Sequence, residues 1–390
     1  MKVSRKTPKI RTLYLYKFTI TNYLVYNVIN DLDNIIVIPK NIKSQAALVN
    51  THNSSEKLSK YHFGDASYFD EEFVTTAQET SYTTIYPKTL VEKVDSPDIP
   101  SDWSMNPYQG CEHGCVYCYA RITHEYWGYS ADSDFEKKIL IKENAPELLI
   151  KKIKSRSWSG QPIMLSGDTD CYQPAELKYE ITRKLLQVCL DHNQPVGIIT
   201  KNALVCRDID ILEKLAAKNL VQVHISITTL DEELRKAMEP HTSSTKKRLQ
   251  TITKLSEHNI PVHVMLAPII PGLNSDEIFD ICAAVSKAGA SSLGHTMVRL
   301  NGVIALLFED WIQKTFPLKA TRVMNLISAI QGDKLGRSNF GERMRGIGTI
   351  AVSINEQVRL AKKQYGLAIK PKPLNTAVYK SASTIQLHLF

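Results

Sequence analysis

The sequence predicts an α/β fold, an incomplete TIM-like (β/α)6 barrel with an N-terminal extension and C-terminal helices. Two observations support this prediction. From residue 101 onward, short β-branched runs alternate with amphipathic stretches of helical spacing, which is the pattern of a parallel sheet with crossover helices. The notable polar and cysteine-containing motifs fall just after predicted strands, where the active residues of such barrels lie.

Six strands and their intervening helices account for the barrel. The first strand is expected at 103–106, and the others at 162–166, 196–200, 221–228, 262–267 and 293–300. Apolar residues recur at helical spacing between them, which predicts helices at 175–192, 209–217, 246–258 and 275–288. Two further helical stretches, 303–331 and 350–366, are placed to cap the barrel.

The same patterns divide the chain into five segments. Residues 1–60 are predicted to form a poorly specified N-terminal extension, with a strand-like piece at 34–38. The remaining segments are a lead-in at 61–100, the barrel core at 101–300, a C-terminal helical region at 301–370 and a tail at 371–390.

Composition is ordinary for a globular protein, with 43% hydrophobic and 23% charged residues. Residues 1–40 hold seven Lys or Arg and two Asp, so most of the net charge of +8 lies there. The charge therefore indicates little about nucleic-acid binding by the core. No stretch of 18 apolar residues exists, so we expect no membrane span and a cytoplasmic protein.

Three cysteines lie in one short run, at Cys111, Cys115 and Cys118. Such a run can bind one cubane iron–sulfur cluster, and three ligands for four irons leave one iron open to a substrate. Zinc is the alternative, with His113 as a fourth ligand inside the short loop. A disulfide framework is disfavoured because seven cysteines in 390 residues are few and odd in number.

This cysteine spacing resembles that of the radical S-adenosylmethionine (SAM) superfamily, in which an aromatic residue, here Tyr117, precedes the third cysteine. The stretches 104–110, 166–174, 267–274 and 341–346 resemble a bacterial subfamily related to spore photoproduct lyase and often labelled DNA repair photolyase. The resemblance spans about residues 60–370. It implies a barrel of the radical SAM type.

The resemblance implies a radical SAM enzyme in which the three cysteines hold a [4Fe–4S] cluster and S-adenosyl-L-methionine binds the open iron. An electron from a low-potential donor of the flavodoxin or ferredoxin type would cleave SAM to methionine and the 5′-deoxyadenosyl radical. That radical would abstract a hydrogen atom from a substrate, directly or through Tyr119, which matches a relay tyrosine of spore photoproduct lyase.

Residues after successive strands are expected to bind SAM. The expected SAM-binding residues are Tyr117 and Ile269 beside the adenine, Gly167, Asp168 and Thr169 at the ammonium group, Lys201 at the carboxylate, and Ser226 and Thr228 at the ribose or carboxylate. Most of these residues also have a purely structural interpretation. Residues 166–170 could be a loop that caps the next helix, and Lys201 could be a solvated surface lysine. Ser226 and Thr228 could pair their hydroxyls across strands, and residues 268–272 could form an ordinary loop between a strand and a helix.

One position departs from spore photoproduct lyase. The cysteine that donates hydrogen in that enzyme corresponds to Gly167, and Cys171 lies four residues further on. The departure weighs against photoproduct repair itself. By resemblance a nucleic acid is the leading substrate, with a small molecule or peptide still open.

Other residues are weaker candidates for substrate contacts. The candidates for phosphate contact are His241, Lys246, Lys247, Arg248, Arg337, Arg343 and Arg345, although charge runs of this kind are more often solvated helix faces. Trp127 and Tyr129 are candidates for stacking on a base. A second class of function is a non-catalytic metal protein, either an iron–sulfur electron carrier or a zinc-stabilised scaffold.

Overall fold

A computed structural model describes residues 80–99, 101–332 and 339–379, together with the backbone of three N-terminal strands. The strands are β1 (Lys17–Ile20), β2 (Tyr23–Tyr26), β3 (Ile36–Pro39), β4 (Ser81–Ile85), β5 (Val91–Lys93), β6 (Trp103–Met105), β7 (Tyr108–Gln109), β8 (Lys138–Lys142), β9 (Ile163–Leu165), β10 (Val196–Thr200), β11 (Val221–Ser226), β12 (Val262–Ile269) and β13 (Ser292–Met297).

The first three strands form an antiparallel sheet of their own, in the order β1-β2-β3. They belong to a compact unit of residues 1–43, and residues 44–390 form a second unit. β3 overlaps the predicted strand-like piece at 34–38, whereas β1 and β2 were not predicted. Their sequences, KFTI and YLVY, are short and lack a long alternating pattern.

The second unit is built on a seven-stranded sheet in the order β13-β12-β11-β10-β9-β6-β5. All neighbours from β6 to β13 are parallel, and β5 pairs antiparallel with β6 at one edge. All six predicted strands are present in this sheet. A smaller sheet, β4-β8-β7, lies beside the start of the core. The α/β prediction with a partial barrel is confirmed.

Helices connect the parallel strands, and three more follow the last strand. They are α1 (Ser133–Lys137), α2 (Ala145–Ile153), α3 (Glu176–Tyr179), α4 (Ile181–Asp191), α5 (Ile209–Ala217), α6 (Glu232–Met238), α7 (Thr245–Glu257), α8 (Ile278–Lys287), α9 (Val303–Thr315), α10 (Pro317–Gln331) and α11 (Gly348–Gln364). Two 3-10 segments, Tyr119–Trp127 and Ala203–Asp208, lie immediately after the cysteine run and after β10.

Two predicted helices are each broken in the structure. The stretch 175–192 is divided into α3 and α4 by Glu180, whose φ of 53° is left-handed. The stretch 303–331 is divided into α9 and α10 at Phe316, because Pro317 has no N–H to continue the α9 ladder and instead opens α10. Apolar periodicity runs through both breaks, so it did not reveal them.

The two faces of the large sheet carry different side chains. On the outer face, apolar residues such as Ile198, Val223 and Val264 are fully buried against the helices. The inner face instead carries small, polar and sulfur-containing residues, and several of them are half-buried. Strand alternation places the two sets on opposite faces.

A C-terminal strap, residues 367–379, runs along the end of the sheet where the strands begin. Ala368 pairs with Ser292 at the start of β13. Further along, Gln222 at the start of β11 donates to the Lys372 carbonyl, and Tyr379 donates to the Ile153 carbonyl at 2.6 Å. The first residues of the predicted tail therefore cover the floor of the barrel.

None of the helices in the described part of the chain is long and apolar enough to cross a membrane.

Candidate active site

The cysteine run forms a loop between β7 and the 3-10 segment Tyr119–Trp127, at the end of the sheet where the parallel strands finish. Cys111 and Cys115 are buried and Cys118 is half-buried. The loop is tied to its surroundings through its backbone: Cys111 N–H donates to the Phe135 carbonyl at 2.8 Å, and Val116 N–H donates to the Met238 carbonyl at 3.0 Å. We refer to residues 110–118 as the thiol loop.

A buried guanidinium supports the thiol loop. Arg121 donates to the carbonyl of Cys115 through two nitrogens, at 3.0 and 2.9 Å, and pairs with the buried carboxylate of Glu136. It also reaches the Asp132 carbonyl at 3.0 Å. Because a buried guanidinium needs several acceptors, this arrangement fixes the turn between the second and third cysteines.

The three thiols are close enough to influence one another. Burial raises the pKa of Cys115 to about 12 and also raises the pKa of Cys118. The pKa of Cys111 is raised by burial, by the Asp170 carboxylate and by the other two thiols. Lys201 acts in the opposite direction on Cys115. Without a bound cation the thiols are therefore neutral, and a metal that ionises them would be held by three thiolates.

The donor set fits a cubane cluster. Among the described residues, no three His, Cys, Asp or Glu side chains converge tightly enough to chelate a single ion. A cubane is bound through separate irons, so its cysteines need not converge on one point. Thiolates are the ligands that such clusters use, and the burial of Cys111 and Cys115 shields them from water.

His113 is engaged elsewhere. Its Nδ1 lies 3.3 Å from the Asp170 carboxylate, and its Nε2 lies 3.3 Å from the amide nitrogen of Asn202. Since the amide nitrogen can only donate, Nε2 accepts and Nδ1–H faces Asp170. Both ring nitrogens are occupied, so a zinc site with His113 as fourth ligand would have to break both contacts.

The loop after β9 carries the predicted ammonium contacts. Ser166 has a left-handed φ of 82°, and the next two N–H groups, of Gly167 and Asp168, both donate to Asn106 Oδ1 at 2.7 and 2.9 Å. Thr169 is buried, and its hydroxyl has no hydrogen-bond partner among the residues described. Burial raises the pKa of Asp168. An unsatisfied buried hydroxyl here is consistent with a ligand that supplies the partner.

Asn106 was not assigned a role from the sequence. It follows β6 as Gly167 follows β9, and parallel strands place both positions at the same end of the sheet. The only sign of this role in the sequence was the position of Asn106 just after a predicted strand.

Tyr119 and Gly167 are brought together across 48 residues of sequence. The Tyr119 hydroxyl donates to the Gly167 carbonyl at 2.5 Å, and 54% of the residue is exposed. The tyrosine expected to relay a hydrogen atom therefore lies at the mouth of the barrel. Cys171, by contrast, is fully buried in the core behind this loop, where its backbone N–H donates to Ser166 Oγ.

A buried carboxylate links three other predicted residues. Glu239 accepts from the hydroxyls of Tyr117 and Thr228, the latter at 2.5 Å, and pairs with Arg248 at 2.5 Å. Lys201 lies over the Tyr117 ring, with its ammonium 5.9 Å from the ring centroid. Tyr117, Thr228 and Lys201 therefore meet next to the thiol loop.

Neighbouring groups keep the Glu239 carboxylate ionised. Burial alone would raise the pKa of this carboxyl, but Arg248, Lys201 and the two hydroxyls lower it to about 2. Lys201 is half-buried beside Cys115 and Glu239, which raise its pKa although removal from water acts to lower it. Sequence reasoning missed Glu239, which lies in an acidic and basic run typical of a surface helix end.

The last predicted SAM residues are placed as follows. β11 ends at Ser226, so Thr228 lies beyond the strand and the two do not share a strand face as predicted. The reason is local: the Thr228 hydroxyl turns to Glu239, while its carbonyl accepts from Asn274 at 2.9 Å. Ser226 is buried, and Ile269 is fully buried in the core at the end of β12.

The structure changes the interpretation of some of the weaker candidates for phosphate contact. Arg248 lies in neither a solvated helix face nor a phosphate site, because it is buried against Glu239. Arg343 pairs with Asp98 at 2.5 Å and lies over the Phe340 ring. Arg337 lies outside the described residues. Arg299, after β13, was not predicted, and its Nε is buried with no partner in the described part of the chain.

Comparison with known proteins identifies the class. Residues 105–285 match the radical SAM superfamily. An uncharacterized protein of Mycobacterium tuberculosis is 29% identical over 242 residues, which cover 61% of this chain and 71% of that one. An uncharacterized protein of Methanocaldococcus jannaschii is 32% identical over 213 residues, which cover 55% of this chain and 76% of the relative. The chain belongs to the radical SAM superfamily.

Solved structures show the same fold. Spore photoproduct lyase complexed with dinucleoside spore photoproduct superimposes with a TM-score of 0.55 at 17% identity, covering 73% of this chain and 79% of the lyase. A mutant of that lyase with bound AdoMet and dinucleoside spore photoproduct gives a TM-score of 0.54 at 17% identity, with the same coverage. The predicted relation to the lyase is thus confirmed at the level of the fold.

The thiol loop should depend on its first glycine. Gly110 has a φ of 81°, and a Cβ there would lie 2.9 Å from the Phe135 carbonyl oxygen. Gly110→Ala should therefore lower the free energy of unfolding by about 2–4 kcal/mol. Gly128→Ala is the matched control, because Gly128 has a φ of 78° and open space around its Cβ position. It should cost about 1–2 kcal/mol. Urea denaturation measures both, and equal losses would contradict the steric reading.

The Glu239–Arg248 pair should contribute strongly to stability. Arg248→Leu should lower the free energy of unfolding by about 3–5 kcal/mol near neutral pH, because it leaves a buried carboxylate unpaired. Arg359→Leu, which breaks the exposed Arg359–Glu356 pair, should leave it near the wild-type value.

The effect should also depend on pH. The pKa of Glu239 is lowered from 4.5 to about 2, so its stabilising charge is fully present above pH 4.5 and is lost as the pH falls toward 2. The difference between wild type and Arg248→Leu should therefore shrink over that range. A difference that is constant from pH 6 to pH 2 would contradict this account.

Proposed function

We propose that this protein is a radical SAM enzyme in which Cys111, Cys115 and Cys118 hold a [4Fe–4S] cluster. The observation that carries the proposal is the thiol loop itself: three mutually close thiols at the mouth of the sheet, with His113 occupied by other partners. When bound, the cluster supplies the electron that cleaves SAM to methionine and the 5′-deoxyadenosyl radical, which then abstracts a hydrogen atom from the substrate.

The residues around the thiol loop are suited to hold SAM. Asp168 and Thr169 offer a carboxylate and an unsatisfied hydroxyl to the ammonium group, while Lys201 offers a cation to the carboxylate. Glu239 positions Tyr117 and Thr228 through their hydroxyls. Binding at several points would keep the reacting carbon in place and exclude water from it.

Tyr119 is placed for a role in hydrogen transfer. It is the aromatic residue directly after Cys118, and its hydroxyl contacts the loop that also carries Asp168. Because Gly167 carries no side chain and Cys171 is in the core, no thiol stands beside Tyr119 on that loop. We therefore propose that Tyr119, at the mouth of the barrel, takes part in hydrogen abstraction. We also propose that the reaction differs from photoproduct repair with a thiol as hydrogen donor.

A nucleic acid is the proposed substrate class. Support comes from the fold, which is that of a lyase solved with a dinucleoside photoproduct, and from the cations at the mouth. Lys142 interacts electrostatically with Asp168, and Arg299 does so with Tyr119. Among the described residues, Arg299 Nε has no hydrogen-bond partner. A guanidinium with an unpaired Nε next to an exposed tyrosine suits a phosphate group.

An iron–sulfur electron carrier is the alternative in the same metal class, because it needs the thiol loop but not the SAM-binding residues. We also propose a low-potential donor of the flavodoxin or ferredoxin type as partner, and a cytoplasmic location, since an iron–sulfur loop favours a reducing compartment.

The enzyme proposal predicts that cysteine replacement abolishes SAM cleavage. Anaerobically reconstituted wild type should bind iron and sulfide and, after reduction, form 5′-deoxyadenosine from SAM. Cys115→Ala should lose most of the iron and form none above background. Cys282→Ala is the control, since Cys282 is a buried residue of α8 away from the thiol loop. Equal 5′-deoxyadenosine from wild type and Cys115→Ala would refute the proposal, and a cluster without any SAM cleavage would favour the carrier.

The nucleic-acid proposal predicts salt-dependent binding. The affinity for single-stranded DNA should fall steeply as salt rises, because phosphate contacts release counterions. Arg299→Met should reduce the slope of log affinity against log salt by about one. Arg359→Met, at an exposed ion pair on α11, should leave the slope unchanged. Affinity that is indifferent to salt, or an absence of binding, would count against a nucleic acid.

A further inference from the structure

The thiol loop carries a histidine whose two ring nitrogens face two other segments of the chain. His113 lies midway between Cys111 and Cys115 in the sequence, and its side chain is buried. Its Nδ1 is 3.3 Å from the carboxylate of Asp170, in the loop after β9, and its Nε2 is 3.3 Å from the amide nitrogen of Asn202, after β10. The histidine therefore connects the cysteine run to the ends of two neighbouring parallel strands.

The orientation of Asn202 is fixed by other contacts. Its Oδ1 accepts from the Leu204 N–H at 3.0 Å and from the Ser243 hydroxyl at 3.3 Å. The amide nitrogen is therefore the atom that faces His113, and the histidine accepts there through Nε2. In the neutral ring the proton is then on Nδ1, where it is donated to Asp170.

Asp170 gathers donors from three segments. Its Oδ2, the oxygen that faces His113, also accepts from the backbone N–H of Lys201 at 2.8 Å. Its Oδ1 accepts from the Thr200 hydroxyl at 2.7 Å and from the Tyr172 N–H at 2.9 Å. A carboxylate with this many directional partners has one position. The same oxygen is thus shared by a side chain of the thiol loop and the backbone of Lys201.

Lys201 is held at both ends of its side chain. At the root, its N–H donates to Asp170 and its carbonyl accepts from the Ser243 N–H at 3.2 Å. At the tip, its ammonium lies 5.9 Å from the centroid of the Tyr117 ring and interacts electrostatically with Glu239. A lysine has a long flexible stem, so fixing its root and tip lowers the entropy that is lost when an anion binds to it.

We propose that His113 is a positioning residue for SAM. Through Asp170 it fixes the backbone of Lys201 relative to the cysteine run, so that the lysine ammonium meets the carboxylate of a SAM molecule bound at the open iron. His113 acts through Lys201 and makes no contact with SAM itself. The inference rests on the proposed function, because it concerns the same SAM site.

The test compares two amide variants of the histidine. In His113→Asn the amide nitrogen can take the place of Nδ1 and donate to Asp170, whereas in His113→Gln the longer side chain carries the amide to the place of Nε2. His263→Gln is the distant control, because it removes the Nδ1 contact of a buried histidine with Ser292 Oγ, 2.7 Å long, near the start of β12. The dissociation constant of SAM is measured by equilibrium dialysis on anaerobically reconstituted protein, together with iron and sulfide content.

The contact with Asp170 should decide the affinity. His113→Gln should keep the iron and sulfide content of wild type and bind SAM about five- to tenfold more weakly, the loss expected for one hydrogen bond. His113→Asn should bind SAM nearly as wild type does. His263→Gln should lower the melting temperature and leave SAM binding unchanged. 5′-Deoxy-5′-methylthioadenosine lacks the amino and carboxylate groups of SAM, so it should bind wild type and His113→Gln equally.

A double-mutant cycle tests whether the histidine acts through Lys201. Lys201→Met should weaken SAM binding by itself, and adding His113→Gln should cause little further loss, because the ammonium that His113 positions is gone.

Three outcomes would overturn the inference: SAM affinity of His113→Gln equal to that of wild type, loss of iron from His113→Gln, or losses that add fully in the double variant. Wild type that forms the cluster and does not bind SAM would instead refute the proposed function, and the inference with it. That result is seen in wild type alone, so the two failures are distinguishable.

Discussion

The buried carboxylate of Glu239 is the contact on which the candidate active site most depends. It accepts hydrogen bonds from two hydroxyl groups. One belongs to Tyr117 in the thiol loop and the other to Thr228, just beyond the end of β11. Arg248 on α7 compensates its charge, and that arginine also donates to the carbonyl of Ser226. One carboxylate therefore connects the loop that would hold the cluster to the strand ends that would hold SAM. Because the group is buried, it keeps this arrangement only while all of its partners are present.

A second set of contacts performs the same task on the other side of the mouth. Asn106 holds the turn after β9 through two backbone N–H groups, and Tyr119 reaches the carbonyl of the same turn. The thiol loop thus lies between two polar networks, one centred on Glu239 and one on Asn106. Each network includes a residue just after a parallel strand, Thr228 after β11 and Asn106 after β6, and the sheet brings such positions together whatever their separation in sequence.

Much of this could be predicted from the sequence, and the reasons are physical. The six parallel strands were predicted because each is a short β-branched run, which can be identified in the sequence without knowing which strands it pairs with. The thiol loop was predicted because its ligands are neighbours in the chain. Glu239 and Asn106 were missed because their roles depend on partners far away in the sequence, such as Tyr117, which precedes Glu239 by 122 residues. The breaks at Glu180 and Phe316 were missed because apolar periodicity continues across them. The SAM contacts themselves stay predictions.

In the proposed enzyme, the generation of a radical would be separate from its use. The thiol loop and the two networks would bind the cluster and SAM, whereas Tyr119 and Arg299 would face the group that is attacked. Gly167 and the buried Cys171 distinguish this mouth from one that presents a thiol.

The most direct test of the central claim is the electron paramagnetic resonance spectrum of the reduced, reconstituted protein before and after addition of SAM. An open iron that binds SAM should give a [4Fe–4S] signal whose g values change on addition of SAM. A signal that SAM leaves unchanged, or protein that contains stoichiometric zinc and no sulfide, would contradict the account.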